Sequence, residues 1–147
     1  MSEHRHPLVM VCGTFDLLHP GHVFFIEEAK RHGHVIVVVA RDETVKRIKG
    51  KLPAETLGQR MAAVERRFPD VTVVEGSASD FLESLRKHRP DTLLLGYDQK
   101  LPPGVTEADV LCPILRAGSH RPELFKSSLM KRETEAPNRT GKRSMPG

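Results

Sequence analysis

The stretch that decides the fold is Gly13-Thr14-Phe15-Asp16-Leu17-Leu18-His19-Pro20-Gly21-His22. The apolar run from Leu8 to Cys12 precedes it, and the amphipathic run from Val23 to Arg31 follows it. An apolar run, a glycine-bounded polar turn and a run with helical spacing predict a strand, a tight loop and a helix. The chain therefore opens with the first half of a β-α-β unit.

The start of that helix is a predicted anion site. Its first backbone N–H groups have no partner within the helix, and the helix dipole favours negative charge there. Pro20 suits the first turn, where a missing N–H costs nothing. His19 and His22 are three residues apart, so we expect them to point at one anion. Gly13 and Gly21 have no Cβ, and we expect them to let the backbone approach the ligand. Zinc is disfavoured, because its sites need three or four ligands and no Cys or acidic residue stands nearby at ligand spacing.

The rest of the chain predicts an α/β fold. The β-branched run from Val35 to Ala40 is typical of a strand buried on both faces, and strand, helix and strand form a right-handed parallel unit. With 5% aromatic residues and no Trp, the core is expected to consist of Val, Leu, Ile and Ala. We predict a Rossmann-like parallel sheet of about five strands with helices on both faces. The further predicted elements are a helix over 57–67, a strand over 71–75, a helix over 80–88, a strand over 92–95, a strand over 110–115 and a helix over 126–132.

Length and charge favour one domain with a tail. We expect residues 1–6 to be a flexible lead, 7–132 one domain and 133–147 a basic, disordered tail. Residues 131–147 contain five basic and two acidic residues, net +3, which leaves +1 of the total charge of +4 for the other residues. The basic charge is thus concentrated in the tail, which argues against a nucleic-acid partner.

Targeting signals are not evident. The polar start at residues 1–7 does not resemble a signal peptide, and no run approaches the roughly 18 apolar residues that span a membrane. Cys12 and Cys112 both lie in apolar runs, as small buried thiols do. We therefore expect a cytoplasmic protein with no membrane partner.

The stretch 13–22 resembles the nucleotide-binding signature of the cytidylyltransferase-like nucleotidyltransferases, in which two histidines flank a glycine. The resemblance implies that His19 and His22 contact the phosphates of a nucleoside triphosphate and stabilise the transition state at the α-phosphorus. An acceptor phosphate attacks and pyrophosphate leaves. ATP or CTP would enter with Mg²⁺, held mainly by the phosphates without a set of protein ligands, and Asp16 would either support it or bond to the loop.

Further segments carry the resemblance. Residues 41–51 are predicted as a basic loop, and the part from Asp42 to Gly50 resembles the family segment in which a lysine reaches a phosphate, with Lys46 favoured over Lys49. Gln59-Arg60 resembles a family turn that contacts acceptor or nucleotide. Arg67-Phe68-Pro69-Asp70 is similar to the family's Arg-Tyr-Val-Asp motif, although it arrives one residue early. The residues assigned to the acceptor are Arg60, Arg67 and Tyr97.

Two later segments complete the predicted site. Gly96-Tyr97-Asp98-Gln99 follows a strand, and Asp98 can accept from a ribose hydroxyl or the base, or only shape a turn. Lys126-Ser127-Ser128 opens the last predicted helix and resembles the family's clamp for the β- and γ-phosphates, with Arg116 matching a preceding arginine. The nucleotide-binding set is then Gly13, Thr14, Phe15, Asp16, His19, His22, Gly96, Asp98, Arg116, Lys126, Ser127 and Ser128.

The acceptor is also inferred by resemblance. Residues 96–99 and 121–128 look more like archaeal-type FAD synthases than like glycerol-3-phosphate cytidylyltransferases, which implies ATP and FMN as substrates. The alternatives are a cytidylyltransferase acting on glycerol-3-phosphate, a sugar-phosphate adenylyltransferase of the heptose type, and a non-catalytic nucleotide sensor. A class I aminoacyl-tRNA synthetase is disfavoured, because the chain lacks room for a tRNA-binding domain. The resemblance also suggests a homodimer.

Overall fold

The computed structural model describes residues 7–78 and 80–118. The strands are β1 (Leu8–Gly13), β2 (His34–Val39), β3 (Thr72–Glu75), β4 (Thr92–Leu95) and β5 (Ile114–Arg116). The helices are α1 (Pro20–Lys30), α2 (Asp42–Lys49), α3 (Leu57–Arg67) and α4 (Phe81–His88), and a single 3₁₀ turn covers Glu107–Asp109. The predicted lead 1–6, the helix over 126–132 and the tail 133–147 lie outside the described residues.

The five strands form one parallel sheet in the order β3-β2-β1-β4-β5. The chain runs outward from β1 to β3 and then returns to place β4 on the other side of β1. The strand order therefore reverses next to β1, and in open α/β sheets ligands bind beyond the carboxyl ends of the strands at such a reversal. The loop that follows β1 carries the stretch 13–19.

The two faces of the sheet bury different sets of side chains, because successive residues of a strand point to opposite faces. On one face, β1 and β2 contribute Val9, Val11 and Val37, which pack with residues of α1 and α3 such as Ile26 and Val64. On the other face, Met10, Ile36 and Leu93 pack with Leu85 of α4. Helices thus cover both faces, and the predicted Rossmann-like class is confirmed.

The basic segment after β2 is a helix, and the predicted loop is wrong. Asp42 and Glu43 lie in the first turn of α2, and basic side chains lie in its last turn. That order of charge complements the helix dipole and stabilises the segment, while Val45 is buried. Gly50, at φ 89°, ends the helix in the left-handed conformation that suits glycine.

The fifth strand starts later than the expected Val110. Pro113 has no N–H for a strand ladder, and β5 begins only after it, at Ile114. Val110 is still buried, but it packs from an irregular segment. In the part of the chain that the structure describes, no helix is both long enough and apolar enough to cross a membrane.

Candidate functional site

A cleft of about 1740 Å³ opens at the carboxyl ends of the strands. Its lining comes from the loop after β1, the start of α1, the helix α2, the start of α4 and the loop after β4. Single-ligand sites are typically about 300–1,000 Å³, so this cleft has room for two small-molecule substrates together.

His19 and His22 line this cleft side by side. Their rings are stacked, with centroids 3.7 Å apart. His19 caps α1: its Nδ1 accepts from the N–H of Gly21 at 3.1 Å, and the N–H of His19 is 3.4 Å from Nδ1 of His22. Since both Nδ1 atoms accept, each neutral ring carries its proton on Nε2. The local fold thereby leaves two Nε2–H donors for a ligand at the helix start.

His22 is held neutral. Its pKa is lowered from 6.5 to about 4, chiefly because burial disfavours the charged ring; the positive charges of His19 and Lys49 contribute to this, and Asp16 opposes it. The ring of Phe15 lies 5.3 Å from the His22 ring and contributes to that apolar surrounding. At neutral pH, His22 is therefore a neutral hydrogen-bond donor that gains favourable interaction as an anion arrives.

Gly13 and Gly21 line the cleft, and each also lies close to a side chain of the loop. A Cβ on Gly13 would meet the Phe15 ring at 3.0 Å, and a Cβ on Gly21 would meet the His19 ring at 3.0 Å. Both glycines thus make room for side chains of the loop itself. Phe15 reaches its buried position from a left-handed backbone, at φ 53°, which is uncommon for a residue with a Cβ.

Asp16 does not line the cleft and ties two loops together. Its carboxylate accepts from the N–H groups of Ala54 at 2.7 Å and Glu55 at 2.9 Å, which lowers its pKa. Glu55 in turn accepts from the N–H of Leu17 at 2.9 Å. The alternative of hydrogen bonding to a loop therefore describes Asp16. Within 7–78 and 80–118, no group of three or more His, Cys, Asp or Glu residues is arranged to hold a metal ion.

Arg60 does not reach the cleft, which corrects its assignment to the acceptor. Its side chain is fully buried and donates to the carbonyls of Glu55, Thr14 and Ala40. It also forms an ion pair with Asp42. Arg60 thus joins the loop after β1, the end of β2 and the start of α2, and it positions the site without touching the ligand.

Arg67 is not among the residues that line the cleft. Its guanidinium lies over the ring of Phe68, 4.7 Å from the centroid, and 3.4 Å from a carboxylate oxygen of Glu27. Arg67 lines a second groove beside α1, which shares His19 and Pro20 with the cleft. The assignment of Arg67 to the acceptor stays a prediction.

Lys46, the lysine of α2 that the resemblance favours, stays a prediction, because the structure places its neighbours at the cleft. The cleft is lined by Arg47 and Lys49, and Lys46 is not among its lining residues. The charge of Lys49 lowers the pKa of both His22 and Asp16, so Lys49 acts on the histidine site. A segment predicted as a loop has no periodicity that indicates which basic residues share a face. Because the segment is a helix, its geometry determines which of them line the cleft.

The loop after β4 lines the cleft through Gly96, Tyr97 and Asp98. Arg116 donates to the carbonyls of Gly96 and Gln99, both at 2.8 Å, and its role at the nucleotide stays a prediction. Gln99, which the sequence reading overlooked, donates to the carbonyl of Cys12 at 3.0 Å and accepts from the N–H of Gly96. Thr14 also lines the cleft, whereas Lys126, Ser127 and Ser128 lie outside the described residues.

An apolar part of the cleft was not foreseen from the sequence. We call it the apolar arm, and its residues belong to three strands, to α4 and to the loop after β4. They are Cys12, Val38, Leu95, Phe81, Leu82, Leu101 and Val105. These residues also pack against the core cluster beneath α4. Their hydrophobicity in the sequence therefore indicated a place in the core and did not indicate a cleft.

Comparison with known proteins places the chain in a family. The family model described as cytidylyltransferase-like matches residues 10–124, so the chain belongs to the cytidylyltransferase-like family. Over 93 residues it is 46% identical to the FAD synthase of Aciduliprofundum boonei (strain DSM 19572 / T469), a match that covers 63% of this chain and 62% of that protein. The chain thus matches less than two thirds of that relative's length.

A solved structure supports the same fold. The crystal structure of the lipopolysaccharide core biosynthesis protein from Thermoplasma volcanium GSS1 superposes with a TM-score of 0.70 at 30% identity. The match covers 79% of this chain and 99% of that one.

Proposed function

We propose that the protein is a nucleotidyltransferase that joins ATP and FMN to give FAD and pyrophosphate. The observation that carries the proposal is the stacked His19–His22 pair, which presents two Nε2–H donors at the start of α1 inside a cleft large enough for two substrates. The similarity to an FAD synthase supports the choice of FMN as the acceptor.

The chemistry requires positioning and charge stabilisation. A phosphate oxygen of FMN forms a bond to the α-phosphorus of ATP, and the bond from that phosphorus to the pyrophosphate oxygen breaks. The acceptor is an anion near neutral pH, so no general base has to remove a proton. The two histidines donate to the charge that develops on the α-phosphate, and Arg47 and Lys49 add positive charge from α2.

The described residues do not fit a protein-held metal. Asp16, the carboxylate nearest in sequence to the histidines, already accepts two backbone N–H bonds. Mg²⁺ therefore enters the proposal as the counter-ion that accompanies the triphosphate. We further propose that the domain extends to residue 132, which agrees with the family match to residue 124.

The test is pyrophosphate release with ATP or CTP, each combined with FMN or glycerol-3-phosphate, in the presence of Mg²⁺. Release with ATP and FMN, with FAD identified by chromatography, supports the proposal. Release only with CTP and glycerol-3-phosphate makes the protein a cytidylyltransferase for an alcohol phosphate. Nucleotide binding without release in any of the four mixtures contradicts the proposal and favours a sensor.

A further inference from the structure

We propose that the apolar arm binds the fused aromatic rings of the acceptor, with Phe81 as the aromatic side chain that contacts them. This inference rests on the proposed function, because it assigns the acceptor's ring system to a place in the same cleft. The histidines would then hold the phosphate end of the reacting pair, and the apolar arm would select the acceptor.

The floor of the apolar arm lies on the opposite face of the sheet from α1. Cys12 follows Met10 on β1 by two residues, and Leu95 follows Leu93 on β4 by two residues, so each pair shares a face. Met10 and Leu93 belong to the core cluster beneath α4, and Val38 belongs to it too. The cleft therefore continues from the histidines, at the start of α1, over the strand ends to the α4 face.

The walls of the apolar arm come from two segments of the chain. Phe81 and Leu82 form the first turn of α4, and Leu101 and Val105 lie in the loop after β4. All four are half-buried, because each packs against the core cluster on one side and lines the cleft on the other. Pro102 and Pro103 of the same loop also line the cleft, and their rings restrict its backbone.

The chemistry of the apolar arm suits a flat ring with few charges. Burial raises the pKa of the Cys12 thiol to about 12, so Cys12 is a neutral, weakly polar surface. Asp80 lines the cleft beside Phe81, but its carboxylate accepts from the N–H of Leu82 and from Arg86, both at 2.9 Å. A small alcohol phosphate would leave these apolar walls uncovered, whereas an aromatic ring system would bury them.

A buried hydroxyl that lacks a hydrogen-bond partner among the described residues also lines this cleft. Thr44, on α2, lines the cleft, and its buried Oγ1 has no hydrogen-bond partner in the part of the chain that the structure describes. A buried hydroxyl in that state costs free energy until a partner arrives. A fused ring with polar edge atoms supplies both apolar faces for the arm and hydrogen-bonding atoms for such a group.

The experiment uses riboflavin, which has the rings of FMN and no phosphate, as the binding probe. With the full chain, we expect riboflavin fluorescence to be quenched on binding and riboflavin to compete with FMN in the FAD-forming assay. Phe81→Ala should raise the Kd for riboflavin and the KM for FMN about five- to tenfold and leave the KM for ATP within about twofold, since only a ring contact is lost.

Matched variants separate binding from folding. Leu101→Ala removes a wall of the apolar arm, and Leu111→Ala makes the same change at a 91% exposed residue outside the cleft lining. Phe81→Leu keeps an apolar side chain at the start of α4 and should fold where Phe81→Ala is unstable. We expect Leu101→Ala and Phe81→Leu to weaken riboflavin binding, and Leu111→Ala to match the wild type.

The outcomes distinguish the two proposals. If FAD forms but riboflavin neither binds nor competes, or if the Phe81 and Leu101 variants behave as Leu111→Ala does, the apolar arm does not bind the rings. If riboflavin binds and the variants weaken it while no FAD forms, the ring assignment stands and the proposed reaction is wrong.

Discussion

The two sides of the cleft are built from different interactions. One side is formed by residues 13–22, which we call the histidine wall. There Asp16 accepts from the N–H groups of Ala54 and Glu55, Arg60 donates to the carbonyl of Thr14, and the rings of His19 and His22 stack. On the side of the apolar arm, half-buried side chains such as Leu101 line the cleft by packing against the core.

The two sides differ in how precisely each must position the group that it binds. Hydrogen bonds are directional, so the histidine wall can hold donors to within the small tolerance that a transferring phosphorus demands. Hydrophobic contact is non-directional and suits the selection of a ring by shape and area. We therefore expect changes at the histidine wall to affect turnover, and changes in the apolar arm to affect affinity for the acceptor.

The largest expected effect is at the histidines. His19→Ala and His22→Ala should each lower kcat by about 10²–10³-fold, because each removes one donor to the α-phosphate. Pyrophosphate release gives the rate, and circular dichroism checks the fold. His34→Ala is the matched control, since His34 is exposed at the amino end of β2. Normal turnover in a folded double variant at residues 19 and 22 would rule out the mechanism.

The next effect is at Arg60, which supports the histidine wall from within. Arg60→Ala should lower the free energy of unfolding by about 3 kcal/mol, because buried carbonyls and Asp42 lose their partner. Urea unfolding measures this. Arg116→Ala also frees two carbonyls, but at an exposed site, and should cost less than about 1 kcal/mol. Equal losses in the two variants would contradict the assigned positioning role.

The dependence of stability on pH should report on His22. Its pKa is about 4 in the folded protein and 6.5 in a free side chain, so the unfolded chain binds the extra proton between those values. The free energy of unfolding should therefore fall as the pH drops from 6.5 towards 4. We expect His22→Asn to reduce that fall by about 1–2 kcal/mol, allowing for solvent screening of a half-exposed ring. An unchanged acid slope would contradict the lowered pKa.

Asp16→Asn tests the tie between the two loops. An amide keeps one acceptor oxygen, so one of the two bonds to Ala54 and Glu55 is lost and the other is weakened. The free energy of unfolding should fall by about 1 kcal/mol. Asp70→Asn, which removes an exposed ion pair with Lys30, should change the free energy of unfolding much less. A loss at Asp16 no larger than that at Asp70 would show that the tie contributes little.

The smallest effect separates the two lysines of α2. Lys49→Ala should raise the pKa of His22 by a fraction of a unit, because a nearby positive charge is removed. Lys46→Ala should leave that pKa unchanged, since Lys46 does not line the cleft. Titration of the imidazole signals by NMR compares the two variants. A shift with Lys46→Ala alone would restore the lysine that the sequence favoured.

Much of the fold was predictable because its signals are local. The β-branched run that forms β2 and the apolar spacing of α3 are visible without knowledge of the fold, and α3 has the predicted bounds. The two differences from the predicted elements also have local causes. Charges that complement the helix dipole stabilise α2 where a loop was predicted, and β5 begins only after Pro113.

The sequence by itself determined the parallel α/β sheet, the loop at the carboxyl end of β1 and the pairing of His19 with His22, because each depends on residues close together in the chain. Only the tertiary structure decided which charged side chains reach the cleft. Contacts between residues far apart in sequence direct Arg60 and Arg116 to backbone carbonyls and bring Lys49 close to the histidines. The apolar arm also depends on the tertiary structure, because packing across the sheet leaves one side of each of these core-packed residues facing the cleft.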